Sequence, residues 1–113
     1  MEFYVYFVQK KDSPNSPIKV GYTTNLKRRL RSLQTGNPHK LDVKAAIVCP
    51  TKIDAIKLER SIHWIAQGKF ERLEGEWFMV QGSWKKLIKM ALKSSRKDGE
   101  RMSKKELNAL DIN

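Results

Sequence analysis

Glu59 and His63 stand four residues apart, so on a helix they share one face and a carboxylate can meet an imidazole. Such a pair can help hold a hard cation or simply satisfy a structural histidine. Arg28, Arg29 and Arg31, with Lys27 beside them, offer planar guanidinium forks that suit phosphate. Tyr6 carries a phenol at the end of an apolar run, Lys19 an ammonium within another, and His39 with Lys40 follows an Asn37-Pro38 turn. Cys49 is the single cysteine, so no internal disulfide exists, and two histidines set well apart give no Cys/His zinc pattern. Cys49 reads as a small buried hydrophobe at a strand end.

These groups sit in a strongly basic chain. Its 113 residues carry 23 Lys and Arg against 12 Asp and Glu, a formal charge of +11. That excess attracts polyanions, nucleic acid first among them, with acidic membranes and acidic proteins as other partners of that charge. Residues 10 to 60 hold twelve basic and four acidic side chains, a local excess of eight. Residues 94–113 hold five basic and four acidic residues with few large apolar groups, and read as a weakly helical or disordered tail. Length fits one domain, residues 1–93, and 40% hydrophobic residues suffice for a core. No apolar run approaches the ~18 residues that span a bilayer. The start, MEFYVYFVQKK, has its positive charges after the apolar stretch, the reverse of a secretory signal, and a cytoplasmic location is expected.

The elements that must position these residues follow from pattern. Phe3 to Val8 is aromatic and β-branched and reads as a strand, and a turn-rich KKDSPNSP loop leads to a second strand over Ile18 to Tyr22. Thr24 or Asn25 caps a helix running to about Gln34, with Leu26, Leu30 and Leu33 as its buried stripe and Gly36 with Pro38 ending it. Leu41 to Cys49 is a third strand. A second helix runs from Thr51 to about Gln67, with Ile53, Leu58, Ile62 and Ile65 inward, and Gly68 stops it. Glu76 to Val80 is a short extended piece, and Ser83 caps a helix through about Lys93 with Trp84, Leu87, Ile88 and Ala91 inward. Trp64, Trp77 and Trp84 are expected in core and hinge packing. The order predicts an α+β domain, a small, mainly antiparallel three-stranded sheet flanked by helices.

Tyr4-Val5-Tyr6, then Lys19-Val20-Gly21, then Asn25 to Leu30 resembles the start of the GIY-YIG nuclease superfamily. Its pattern is a first-strand Gly-Ile-Tyr, a second-strand Tyr-Ile-Gly, and an arginine eight residues past that glycine, which here is Arg29. Ala55 to Glu59 is similar to the helix that carries the family's metal-binding glutamate, and Leu33-Gln34-Thr35-Gly36-Asn37-Pro38 with Gly75-Glu76-Trp77-Phe78 resembles the short phage and bacterial branch. The resemblance covers residues 3 to 80. Tyr4 stands where the family name has glycine, and Lys19 where it has tyrosine, as in the phage-like branch.

The resemblance implies an endonuclease that hydrolyses phosphodiester bonds with Mg²⁺ or Mn²⁺, acting on DNA, with RNA left open, as a monomer or homodimer. Hydrolysis at neutral pH needs a cation to polarise the phosphoryl oxygen, a positioned water and positive charge for the equatorial oxygens. Glu59 is the implied metal ligand, Arg29 the phosphate fork, and Tyr6 or Lys19 the group that activates water; His63 and Glu76 complete the implied site. Lys27, Arg28, Arg31, His39 and Lys40 are the expected nucleic-acid contacts. A module that kept the fold and basic face without catalysis is the alternative.

Overall fold

Six consecutive aromatic or β-branched residues favour an extended chain, and in the computed structural model they form most of β1 (Phe3–Lys10), the strand about which the rest is arranged. The structure describes residues 2–13, 15–69, 71–72, 77–79, 84–94 and 100–109. β1 pairs antiparallel with β2 (Ile18–Thr23), from Tyr4 opposite Thr23 to Gln9 opposite Ile18, and on its other side with β3 (Leu41–Cys49). This is the expected three-stranded antiparallel sheet. Short strands extend it at both edges: β4 (Glu71–Arg72) and β5 (Trp77–Met79) beyond β2, and β6 (Glu100–Arg101) beyond β3, in the order β4-β5-β2-β1-β3-β6.

Because β1 is central and covered on both sides, Val5 to Gln9 are all fully buried, and the usual in-out alternation of exposure is absent. One face packs Val5, Phe7, Ile18, Val20, Ala45 and Ile47 against α2 (Lys52–Lys69) and α3 (Trp84–Ser94). The other packs Tyr6, Val8, Leu41 and Ala46 against Leu26 and Leu30 of α1 (Leu26–Thr35), with Leu107 of α4 (Lys104–Ala109) at its margin. A register shift between Phe7 and Val8 leaves Lys44 as an extra residue in β3. The bulge lets Leu41 and Val43 serve one face and Ala45, Ile47 and Cys49 the other, while the Lys44 ammonium turns to Asp42 at 3.1 Å.

Among the described residues three helix starts have a side-chain cap, and the expected cap of α3, Ser83, lies outside the described residues. Asn25 Oδ1 accepts from the Arg28 N–H at 3.0 Å, so Asn25 rather than Thr24 is the cap of α1. Thr51 and Asp54 cap α2: the Asp54 N–H donates to Thr51 Oγ1, whose hydroxyl donates to the Asp54 carboxylate. Ser103 and Glu106 form a reciprocal box on α4, and the hydrogen bonds from Ser103 hold the Glu106 carboxyl below its usual range. α4 and β6 lie inside the stretch expected as a tail; Glu100 and Arg101 pair with Val48 and Ile47, and Met102 is buried.

Three details differ from the sequence reading. Gly68 does not end α2, which runs to Lys69. Ile53 is 65% and Trp64 77% exposed, whereas Ala55, Leu58, Ile62 and Ala66 form the buried face of α2. Small alanines let the helix approach the sheet along that line, so the larger Ile53 and Trp64 are turned outward. Trp77 does pack in the core beside Tyr6 and Val8. The burial contrast predicts that Leu58→Ala costs about 2–5 kcal/mol in urea unfolding, while Ile53→Ala stays within about 0.5 kcal/mol of the parent.

Candidate functional site

β2 presents alternate residues to the two faces of the sheet. Ile18 and Val20 enter the α2 core, so Lys19 and Gly21 face the α1 side. Gly21 lies opposite Tyr6 across the β1/β2 ladder. A partner without a side chain leaves that space to the tyrosine ring. Tyr6 is fully buried, and its hydroxyl oxygen accepts from Arg29 Nη1 at 3.4 Å, so a strand residue and a helix residue 23 positions apart meet. Arg29 itself lies on an exposed part of α1.

Lys19 is half-buried and stands opposite Trp77 of β5, its Nζ 5.6 Å from the ring centroid. The indole face attracts the ammonium and steadies it on the α1 side of the sheet. Trp77 also borders a groove of about 310 Å³, shared with Lys10, Pro17, Asn37, His39 and Leu41. Gln34 braces the turn that brings Asn37, His39 and Leu41 to this groove. Its Nε2 donates to the His39 carbonyl at 3.0 Å and its Oε1 accepts from the Leu41 N–H at 2.8 Å, which clamps the turn between α1 and β3. Asn37 Oδ1 tightens the same turn by accepting from the His39 N–H at 2.9 Å. Gly36 has an ordinary negative φ of −87°, and a Cβ there would meet nothing within 4 Å, so the clamp rather than glycine shapes the turn.

Glu59 and His63 lie on α2, against the opposite face of the sheet. Their side chains are 13% and 15% exposed, with Oε1 and Nε2 3.8 Å apart. His63 Nε2 is 2.9 Å from the Val20 carbonyl oxygen. A carbonyl can only accept, so Nε2 carries the proton of this contact. β5 pairs with β2 at Ile18 and Lys19, and Val20 is the next β2 residue along, where the imidazole takes its carbonyl. His63 therefore joins α2 to the backbone between Lys19 and Gly21, and Glu59 is held beside that join. The structure thus brings Tyr6 to Arg29, Glu59 to His63, and His63 to the strand shared by both groups. Glu76 lies outside the described residues.

The expected nucleic-acid contacts Lys27, Arg28, Arg31, His39 and Lys40 are all exposed, on α1 and the turn that follows it. They belong to the α1 side and are not gathered around Glu59. α1 contains four cations and no acidic residue, and three of those cations occupy its first turn, where the helix dipole disfavours positive charge. The arrangement gives up local helix stability and concentrates a positive end that an anion would relieve. Sequence reasoning missed the Lys19–Trp77 pair and the Gln34 clamp. Both depend on strand register and turn geometry, although the Gly-Glu-Trp-Phe string had already singled out Trp77.

Glu59 offers a hard oxygen donor in a largely covered position, and Mg²⁺ needs only one or two carboxylates while keeping several waters. Among the described residues no three His, Cys, Asp or Glu side chains converge. The donor set thus fits Mg²⁺ or Mn²⁺ with a largely hydrated shell, and does not fit a structural zinc site. No helix among the described residues is long and apolar enough to cross a membrane.

No curated protein and no solved structure matches the chain. A family model does match, over a span that takes in both faces of the sheet and every candidate side chain described above. That family is the T5orf172 domain, matched over residues 3–97, and the chain belongs to it.

Proposed function

We propose that this protein is a Mg²⁺- or Mn²⁺-dependent endonuclease that hydrolyses phosphodiester bonds in DNA. Family membership points to a nuclease or nucleic-acid-binding role. The observation that carries the finer reading is the contact of Arg29 with Tyr6 beside Gly21, on a strand whose next carbonyl is taken by the His63 partner of Glu59.

In this reading Arg29 turns its fork from the Tyr6 hydroxyl to the scissile phosphate, stabilising charge that grows on the equatorial oxygens. The cation-only face of α1 holds the flanking backbone through Lys27, Arg28 and Arg31, with His39 and Lys40 extending the track. Glu59 would hold the divalent ion, and His63 keeps Glu59 fixed against β2. When bound, the ion supplies charge that polarises the phosphoryl oxygen and steadies the departing one. The water oxygen bonds to phosphorus, the bond to the leaving oxygen breaks, the water's proton passes to a protein base and the leaving oxygen takes a proton from solvent. Two groups can receive the water's proton, Tyr6 as its phenolate and Lys19 in its neutral form. Tyr6 is fully covered in this conformation, which favours a positioning role, aiming Arg29, and leaves half-buried Lys19 nearer to a bound water.

That same covering of Tyr6 favours a second reading, in which the chain binds nucleic acid without cutting it. A supercoiled-plasmid nicking assay with and without Mg²⁺ separates the two. Under the nuclease reading Glu59→Gln loses metal-dependent nicking while DNA affinity stays within a few-fold of the parent; equal nicking by both proteins removes Glu59 from the site. Arg29→Lys keeps the charge and loses the planar fork, and is expected to slow nicking by about 10²-fold or more.

Salt titration tests the binding face separately. Duplex affinity is expected to fall with a log-log slope near ~−0.9 per phosphate contact, and Arg28→Ala or Arg31→Ala to make the slope shallower by about one contact each. A flat response in the parent would rule out backbone recognition. For the base, Lys19→Met is expected to cost about 10²-fold or more in rate with binding retained, and Tyr6→Phe about 10-fold. The reverse order of damage would make the phenol the base and Lys19 its neighbour.

A further inference from the structure

α2 turns a second face to solvent, and that face is made of cations and one tryptophan. Its exposed residues from Lys52 to Trp64 are Lys52, Ile53, Lys57, Arg60, Ser61 and Trp64. Spaced at i, i+4, i+7 and i+11, Ile53, Lys57, Arg60 and Trp64 form a stripe about 16 Å long. Trp64 is 77% exposed and, with Arg60, Ser61 and Ile65, lines a shallow depression of about 480 Å³. The two carboxylates between Lys52 and Trp64 are engaged off the stripe, Asp54 by its Thr51 cap and Glu59 by His63. Three cations thus share the exposed face of this stretch without an acidic residue.

We infer that this stripe is a stacking platform for an unpaired nucleotide next to the cut site, with the Trp64 ring against a base and Lys57 and Arg60 on the flanking phosphates. An exposed indole presents a π-face that any base can cover, and cations on either side supply the backbone attraction that a bare aromatic patch lacks. Stacking needs a base whose face is free, so the partner is a single-stranded or locally opened segment rather than an intact duplex. A second copy of the chain fits poorly, since each carries +11 and apposed stripes would bring four cations together. A membrane surface also fits poorly: its interfacial helices carry a broad apolar face, and here the two exposed apolar residues are separated by charge. Arg60 adjoins Glu59 in sequence, so the stripe and the Glu59–His63 pair occupy neighbouring faces of one helix. The inference rests on the nucleic-acid reading above and names the form of nucleic acid that the same helix would hold.

Fluorescence anisotropy of the full chain in EDTA tests it without any cleavage. The probes are a labelled single strand of about 12 nucleotides and the same sequence as a duplex. Trp64 is surface-exposed, so Trp64→Ala is expected to fold as the parent does, which circular dichroism verifies. The expected result is about 5- to 150-fold weaker binding of the single strand by Trp64→Ala, less than about 2-fold on the duplex, and near-parental binding by Trp64→Phe. Lys57→Ala is expected to make the single-strand salt slope shallower by about 0.7. Single-strand binding by Trp64→Ala equal to the parent overturns the inference. So does sedimentation in which the parent is a dimer and Trp64→Ala a monomer, or a Trp64-dependent affinity confined to anionic phosphatidylserine vesicles. A parent that nicks plasmid DNA yet shows no Trp64 effect removes the platform alone; one that binds single strands through Trp64 without nicking keeps the platform and removes the nuclease.

Discussion

Everything in this domain leans on the burial of β1 from both sides. Val5 to Gln9 lie at zero exposure between two helical layers, so the strand supplies alternate residues to two separate cores rather than one core and a solvent face. That places Tyr6 inside the α1 core, opposite Gly21, and obliges its hydroxyl to find a polar partner before it is sealed. Arg29 is one such partner, and the contact ties α1 to the β1/β2 pair. Gln9 meets the same demand at the far end of the strand by donating to the Ser16 carbonyl at 2.8 Å, which folds the β1–β2 loop back onto the sheet.

The candidate chemistry is consequently divided by the sheet and rejoined at one strand. Arg29, Tyr6 and Lys19 belong with α1 and β5; Glu59 and His63 belong with α2. Between them runs Lys19-Val20-Gly21, whose side chains go to alternate faces and whose Val20 carbonyl is held by His63. A strand only one residue thick is a rigid way to hold an anion-binding fork and a carboxylate in fixed relation, because neither side can move without disturbing the ladder with β1. His63 joins α2 to β2, so a histidine one turn from a candidate ligand can position that ligand without touching substrate.

Charge is distributed with the same economy. α1 carries four cations and no acid, and the exposed face of α2 carries three cations between Lys52 and Trp64 while its nearby acids are engaged elsewhere. Two positive surfaces on opposite sides of a small sheet can both follow a polyanion that wraps the domain. These side chains are exposed, Arg29 also bonding the buried Tyr6, and the cores beneath them are made by leucine, isoleucine and alanine.

Local pattern in the chain was enough to determine the three long strands, a cap at Thr24 or Asn25, the start of α2 near Thr51, the Leu26–Leu30 stripe, the concentration of positive charge and the offset that picks out Arg29 from Gly21. Each depends on neighbours within a few residues or on a fixed offset along the chain, and such interactions survive in any tertiary context. The outward face of α2 was not legible in the same way. Apolar residues occur almost all round that helix, at Ile53, Ala55, Ile56, Leu58, Ile62, Trp64 and Ile65, so periodicity alone does not say which line meets the sheet. Packing decided it: the line containing Ala55 and Ala66 allows the closest approach, and Ile53 and Trp64 were left in solvent. The pairing of Glu100–Arg101 with β3, the Lys44 bulge and the union of His63 with Val20 were likewise decided by the tertiary structure, because each joins groups whose proximity exists only once the strands have found their register.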